Sequence, residues 1–127
     1  MSITVYPEPG MVFLCDYSGY IRPEIVKVRP VVVVSRRPRG IPLGNVIAIV
    51  VPLSRIPPIT MRPWHVAIAA RKYVALDACW AKGDLVSHVS VARLSFLIHQ
   101  RQPVVPVLDG NDLRAVRHAV VKALDIR

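Results

Sequence analysis

Three groups of residues in this chain have the types and spacing to act on a phosphodiester. Arg29 opens the apolar run Lys27-Val28-Arg29-Pro30-Val31-Val32-Val33-Val34-Ser35. Ser54 closes a second run, Val50-Val51-Pro52-Leu53-Ser54. The tripeptide Lys82-Gly83-Asp84 adds a cation and a carboxylate. A guanidinium does not lose its charge and must be solvated or paired, so Arg29 belongs at the mouth of its strand rather than within a core. Pro30 removes a ladder donor and marks a strand start, an edge or a bulge. Two neighbouring strands of this kind deliver a permanent cation and a hydroxyl to one rim of a small sheet, the equipment of a phosphate-handling site.

Other chemistries find little support. His65, His88, His99 and His118 are scattered, with no HExxH and no His/Cys pairs at ligand spacing, so no metal and no cofactor is expected. A P-loop, a GxSxG elbow and a dinucleotide fingerprint are all missing. Seventeen Lys and Arg against eight Asp and Glu give a formal charge of +9. In so small a chain that favours a polyanionic partner, nucleic acid before an acidic protein face. Arginine dominates, which suits bidentate phosphate contacts.

At 127 residues the chain reads as a single domain, 1–127, able to bury roughly two thirds of its unfolded surface without disulfides or metal. Cys15 and Cys79 are far apart in sequence and apolar in setting. They are expected as small buried thiols of a reduced, cytoplasmic protein. No apolar run reaches the roughly 18 residues of a membrane span, and no secretory leader is expected.

The order of local signals is strands first, helix last. Pro9-Gly10 is a turn and Met11 to Cys15 a short strand. Residues 16–24 (DYSGYIRPE) read as a loop, and Ile25 to Ser35 as a second strand. Arg36 to Gly44 is a basic turn full of breakers, and Asn45 to Leu53 a β-branched third strand. Strands are also expected at His65 to Ala70, Val74 to Leu76 and Cys79 to Lys82. Ser87 to Leu97 fits a short helix after Val91 as well as a strand, and Gln100 to Val107 is extended. Asp109 or Asn111 caps a terminal helix whose apolar positions are Leu113, Val116, Val120, Ala123 and Leu124. The implied class is mostly β (α+β): a strongly bent sheet or partial barrel with a C-terminal helix.

Pro9-Gly10, the Arg29-Pro30 strand, Val51-Pro52-Leu53-Ser54, and Trp80-Ala81-Lys82-Gly83-Asp84-Leu85-Val86-Ser87-His88-Val89-Ser90 with Arg93-Leu94 together resemble the PemK/MazF toxins of bacterial type II toxin–antitoxin systems. The resemblance runs from about Pro9 to Ile126. It implies an SH3-like barrel, a homodimer, and a metal-independent endoribonuclease that cleaves single-stranded mRNA at short sequences. It also implies an acidic cognate antitoxin that covers the RNA groove.

By the same resemblance, Arg29 acts on the scissile phosphate, Ser54 helps hold it, and Asp84 is a general base towards the ribose 2′-hydroxyl. Lys82 stands where the better-studied branch has an arginine, and phosphate binding suits a point charge better than proton transfer does. RNA supplies its own nucleophile, so the protein has only to align attack, stabilise the phosphorane charge and pass protons. For Arg29 a clamp is expected rather than an acid. Lys27, Lys82, Arg22, Tyr20, Arg36 and Arg37 are expected to bind RNA, with Tyr17 and Tyr20 as loop aromatics that stack on bases.

Each position has a plainer reading as well. Arg29 could pair with Glu24 or Asp16, and Ser54 could bond its own turn towards Ile56. Asp84 could be a turn residue, and Trp64 and Trp80 core residues. At the level of function, a nuclease-dead binding module and an inhibitor of another macromolecule stand as alternatives.

Overall fold

The computed structural model describes residues 2–126. Its strands are β1 (Val12–Asp16), β2 (Val28–Val33), β3 (Ile47–Ser54), β4 (His65–Ile68), β5 (Cys79–Lys82), β6 (Ser87–Ser90), β7 (Leu94–Ser95), β8 (Leu97–His99) and β9 (Gln102–Val104), followed by the helix α1 (Gly110–Ala123). Seven strands form one antiparallel sheet in the order β4-β5-β3-β2-β1-β7, with β6 also paired to β3, and β8–β9 is a separate ribbon. The expected class, mostly β with one C-terminal helix, is what the chain adopts.

Where β2 and β3 pair with each other, at Val31–Val33 and Val50–Pro52, both faces are covered and the sequence is apolar without alternation; Val28, Ile47 and Ile49 before those stretches are exposed. Val31, Val33 and Val50 pack with Phe13, Cys15 and Tyr17 in one cluster. Val32, Val51 and Leu53 pack with Val12, Leu97 and Val116 of α1 in another. Val31, Val32, Val33, Val50 and Val51 are all fully buried. The pairing is antiparallel with Val31 opposite Pro52.

The two prolines sit where a missing donor does least harm. β2 pairs with β1 from Val28 to Val32 but with β3 only from Val31 onwards, so Pro30 precedes the doubly paired part, as expected for an edge. Pro52 marks a change of neighbour. β3 pairs with β6 from Ile47 to Val50 and with β5 at Leu53 and Ser54. Between β5 and β6 the chain makes a single 3₁₀ turn, Gly83–Leu85. The β3 side of the seam thus needs no ladder bond at Pro52.

Several expectations change at the edges of elements. The second strand begins at Val28, not Ile25, because Glu24 closes a turn on Ile21: the Glu24 N–H donates to the Ile21 carbonyl, and the Ile21 N–H donates to Glu24 Oε1, both at 2.8 Å. Val74 to Leu76 is not a strand. A lone bridge from Tyr73 to Leu76 is all that remains. The ambiguous stretch after Ser87 is strand, then a 3₁₀ turn at Val91–Arg93, then strand again.

α1 is capped by Asp109, whose carboxylate accepts from the Asp112 N–H at 2.8 Å. Its buried residues are Val116 and Ala119, while Leu124 lies beyond the last turn and is exposed. Ala119 escaped the apolar pattern because its role is closeness. A Cβ on Gly83 would lie 2.8 Å from the Ala119 carbonyl carbon and 3.0 Å from the Val120 nitrogen. Arg117 ties the helix to the sheet, donating from Nε (3.0 Å) and Nη2 (2.9 Å) to the Val34 carbonyl. No helix among the described residues is long and apolar enough to cross a membrane.

Two measurements follow from this packing. Gly83→Ala forces helix backbone and turn apart, so it should cost about 1–3 kcal/mol in a denaturant melt, and an unchanged midpoint would refute the close approach. Cys15 and Cys79 are both free and buried, and desolvation pushes each thiol up to about 11. At pH 8 only about one thiol in a thousand is then ionised. An aromatic disulfide reagent should react slowly with the native protein and rapidly with both cysteines after unfolding.

Candidate functional site

β2 and β3 bring Arg29 and Ser54 to the same place. The Val31–Pro52 register, carried two residues further, sets Arg29 opposite Ser54, just where β2 loses its pairing to β3. Both residues line one open groove of about 630 Å³. Its walls are apolar, from Leu14, Leu53, Leu76 and Leu97, and its rim carries Arg55 and Asp77, paired at 3.1 Å. Neither Arg29 nor Ser54 is fully exposed; both are half-buried. No ion pair to Glu24 or Asp16 forms at Arg29 among the described residues, so its guanidinium is available in the groove.

Ser54 has local work to do. Its Oγ accepts from the Ile56 N–H at 3.2 Å and lies 3.4 Å from the Ile56 carbonyl, to which it donates. This is the turn-forming role foreseen as the plainer reading. A hydroxyl has one proton, so donation to a phosphate oxygen requires Ser54 to release the long 3.4 Å bond to the Ile56 carbonyl, while the Ile56 N–H can keep the oxygen in place.

The loop before β2 adds a second feature. Arg22, Lys27 and Arg29 line a recess of about 190 Å³ together with Glu24. Glu24 also lines a recess of about 180 Å³ with Tyr20 and Asp84. Asp84 therefore does not share the groove of Arg29 and Ser54; it stands in a neighbouring hollow, joined to them through Glu24. Its place on the 3₁₀ turn follows from the break between β5 and β6. Lys82 ends β5 opposite His65 and is half-buried. Along β5 its side alternates with that of Ala81, so it shares a face with Trp80 and, by register, with Ser54.

One arginine organises this loop. Arg93 Nη1 donates to the carbonyls of Asp16 (2.9 Å) and Ser18 (2.7 Å), and its guanidinium lies 5.2 Å from the Tyr20 ring centre. Tyr20 is thereby held beside the recess, edge-on to Tyr17 at 5.1 Å. Tyr17 itself is a correction: it is 1% exposed and belongs to the core, so it has no free face for a base. Burial pushes its hydroxyl well above the usual phenol range. Trp64 and Trp80 are half-buried rather than enclosed.

Arg36 and Arg37 do not join the cluster. They follow the other end of β2, roughly 20 Å from Arg29 by strand rise. Arg37 is engaged there with Glu8 at 3.7 Å and over the Tyr6 ring at 5.9 Å. Arg55 and Asp77 were not singled out in the sequence, and Glu24 was considered only as an ion-pair partner of Arg29, not as a residue lining the hollows. Glu24 lies only five positions before Arg29, and a carboxylate that close to a free cation was the signal available.

The fold and sequence have known counterparts. An uncharacterized protein of Haemophilus influenzae is 26% identical over 133 residues, spanning 94% of this chain and 90% of that protein. Among solved structures, MazF from Deinococcus radiodurans superposes with a TM-score of 0.71 at 15% identity, covering 96% of this chain and 99% of that one. A mycobacterial endoribonuclease in complex with its cognate antitoxin gives 0.67 at 19% identity, covering 95% and 97%. At these identities the structures show a shared fold. The family model of PemK-like, MazF-like toxins matches residues 8–124. With the Arg-Pro strand, the seam at Pro52 and the closing helix all inside that span, the chain belongs to the PemK-like, MazF-like toxins of type II toxin–antitoxin systems.

Proposed function

We propose that this protein is an endoribonuclease toxin that cleaves single-stranded mRNA at short sequences by attack of the ribose 2′-hydroxyl on the adjacent phosphate, without a metal ion. The observation that carries this reading is the groove with Arg29 and Ser54 in its lining, in a chain of this family. Arg29 clamps the phosphate and the charge that grows on it, and the Ser54 hydroxyl, turning its proton from the Ile56 carbonyl, adds a neutral hydrogen bond to the same oxygens. A carboxylate takes the hydroxyl proton. Asp84 is assigned that role, with Glu24 between it and Arg29 as the group that relays or replaces it. Products are a 2′,3′-cyclic phosphate and a 5′-hydroxyl.

Arg22, Lys27 and Lys82 hold flanking phosphates and Tyr20 offers a ring to a base. The net charge of +9 supports a polyanionic substrate, and equally an acidic cognate antitoxin that competes for the groove. The mycobacterial neighbour bound to its antitoxin supports the second partner. The protein acts in the cytoplasm as a homodimer whose protomers share the RNA groove.

One observation favours a second reading. Because the Ser54 hydroxyl is committed to its own turn and Asp84 lies outside the groove, the fold also suits a module that binds RNA without cutting it. Mapping the ends of fragments from a long RNA incubated with protein and chelator separates the two: discrete new 5′-hydroxyl ends are expected, and intact RNA would leave only binding.

Arg29→Ala should lower cleavage at least about a hundredfold with the melting temperature preserved, and undiminished cleavage would remove the mechanism. EDTA should leave the rate unchanged. Asp84→Asn and Glu24→Gln, assayed separately, identify the base: the variant whose kcat falls by about 10²–10⁴ with KM little altered held the proton. If neither moves kcat, no carboxylate of this cluster is the base.

A further inference from the structure

The groove does not stop at its far wall. That wall is the loop between β4 and β5, and three of its residues, Ala75, Leu76 and Asp77, line both the groove and a second recess of about 530 Å³ behind it. The second recess carries Arg71 and His99. Both are exposed, and neither makes an ion pair or a side-chain hydrogen bond among the described residues. A low ridge with one cation-bearing hollow on either side is a path for an extended polyanion.

The ridge is held in an unusual conformation. Arg71 (φ 63°) and Ala75 (φ 60°) in the loop, and Gln100 (φ 51°) and Arg101 (φ 67°) in the β8–β9 turn, account for four of the five non-glycine residues with positive φ among the described residues. Such backbone persists only where its surroundings enforce it. The enforcement is visible at the helix start. The Tyr73 hydroxyl donates to Asp112 Oδ2 at 2.5 Å and accepts from the Asp109 N–H at 3.0 Å, while Lys72 Nζ lies 3.0 Å from Asp109 and 2.9 Å from Asp112. The loop is therefore latched to α1 on one side and shapes a binding wall on the other.

We infer that a single-stranded RNA engaged by Arg29 and Ser54 continues across the ridge of residues 75–77 and sets a second phosphate against Arg71 and His99. This inference rests on the RNA reading given above. Between the two cationic hollows the exposed surface is Ala75 and an Asp77 already paired with Arg55, with Leu76 buried beneath them. An uncharged nucleobase between two phosphates suits that sequence of charges. A run of acidic side chains does not, because its middle carboxylates would lie over a stretch whose one cation, Arg55, is already engaged by Asp77.

The test is binding of 2′-O-methyl RNA of mixed sequence, which lacks the attacking hydroxyl, at lengths of roughly 4 and roughly 12 nucleotides. Arg71→Gln and His99→Gln should each weaken the longer oligomer, and Arg71→Gln, by about tenfold, should also lower the slope of log K against log salt by about 0.7, one phosphate contact. Arg71→Lys should restore most of both. The shorter oligomer should bind all these variants as it binds the wild type, and Arg29→Ala should weaken both lengths.

Equal binding of the longer oligomer by wild type, Arg71→Gln and His99→Gln, with Arg29→Ala still defective, would overturn the second subsite alone. Failure of the wild type to bind either length would overturn both this inference and the proposed function. A polyglutamate peptide that loses as much affinity as RNA on Arg71→Gln would assign the recess to an acidic protein segment and refute the RNA path.

Discussion

Everything that positions the groove depends on the antiparallel pairing of β2 with β3, buried on both faces. Five valines with no exposed surface fix its register, because a slip of one residue would exchange the two apolar clusters and leave neither filled. With Val31 held opposite Pro52, residues 29 and 54 have only one arrangement available. The chemistry at the rim is thus set by packing several residues away from it.

The same economy explains how the basic residues divide. Arg93 and Arg117 spend their guanidinium groups on backbone carbonyls, securing the loop before β2 and the end of β2 respectively. Lys72, Arg37 and Arg55 are paired with carboxylates. Arg22, Lys27, Arg29 and Arg71 line hollows instead. A large formal charge therefore resolves into structural cations and a smaller set facing solvent-filled depressions. Exposed pairs such as Arg55–Asp77 contribute little to stability and mainly shape the local field.

Much of this was legible in the chain. The apolar runs, the breakers between them and the capped terminal helix are short-range signals, and apart from the strand expected at Val74 to Leu76 they appeared near their expected places. The placing of Arg29 and Ser54 together was legible because a charged or hydroxylated residue at the end of an apolar strand belongs at the rim, and both lie at one. Three things were hidden. Ile25 to Lys27 looked like strand but is irregular chain leaving a turn at residues 21–24 that Glu24 closes through its side chain, a contact that residue types alone do not announce. Tyr17 looked like a loop aromatic but falls one residue past β1, where the chain still passes over the core. Asp84 was grouped with Arg29 by resemblance, and only the 3₁₀ turn between β5 and β6 shows it in a separate hollow. In each case specific contacts or backbone geometry decided, and local composition pointed elsewhere.

The groove draws its walls from residue 14 near one end of the chain to residue 98 near the other, and the arginine that steadies the loop before β2 arrives 75 positions after the carbonyl it holds. A nascent chain that has not emerged as far as residue 98 lacks part of this lining, and until Arg93 is free the carbonyls of Asp16 and Ser18 have no guanidinium to hold them. The cation of residue 29 therefore leaves the ribosome well before its surroundings, and the cleft takes shape only after residues 93 to 98 have followed.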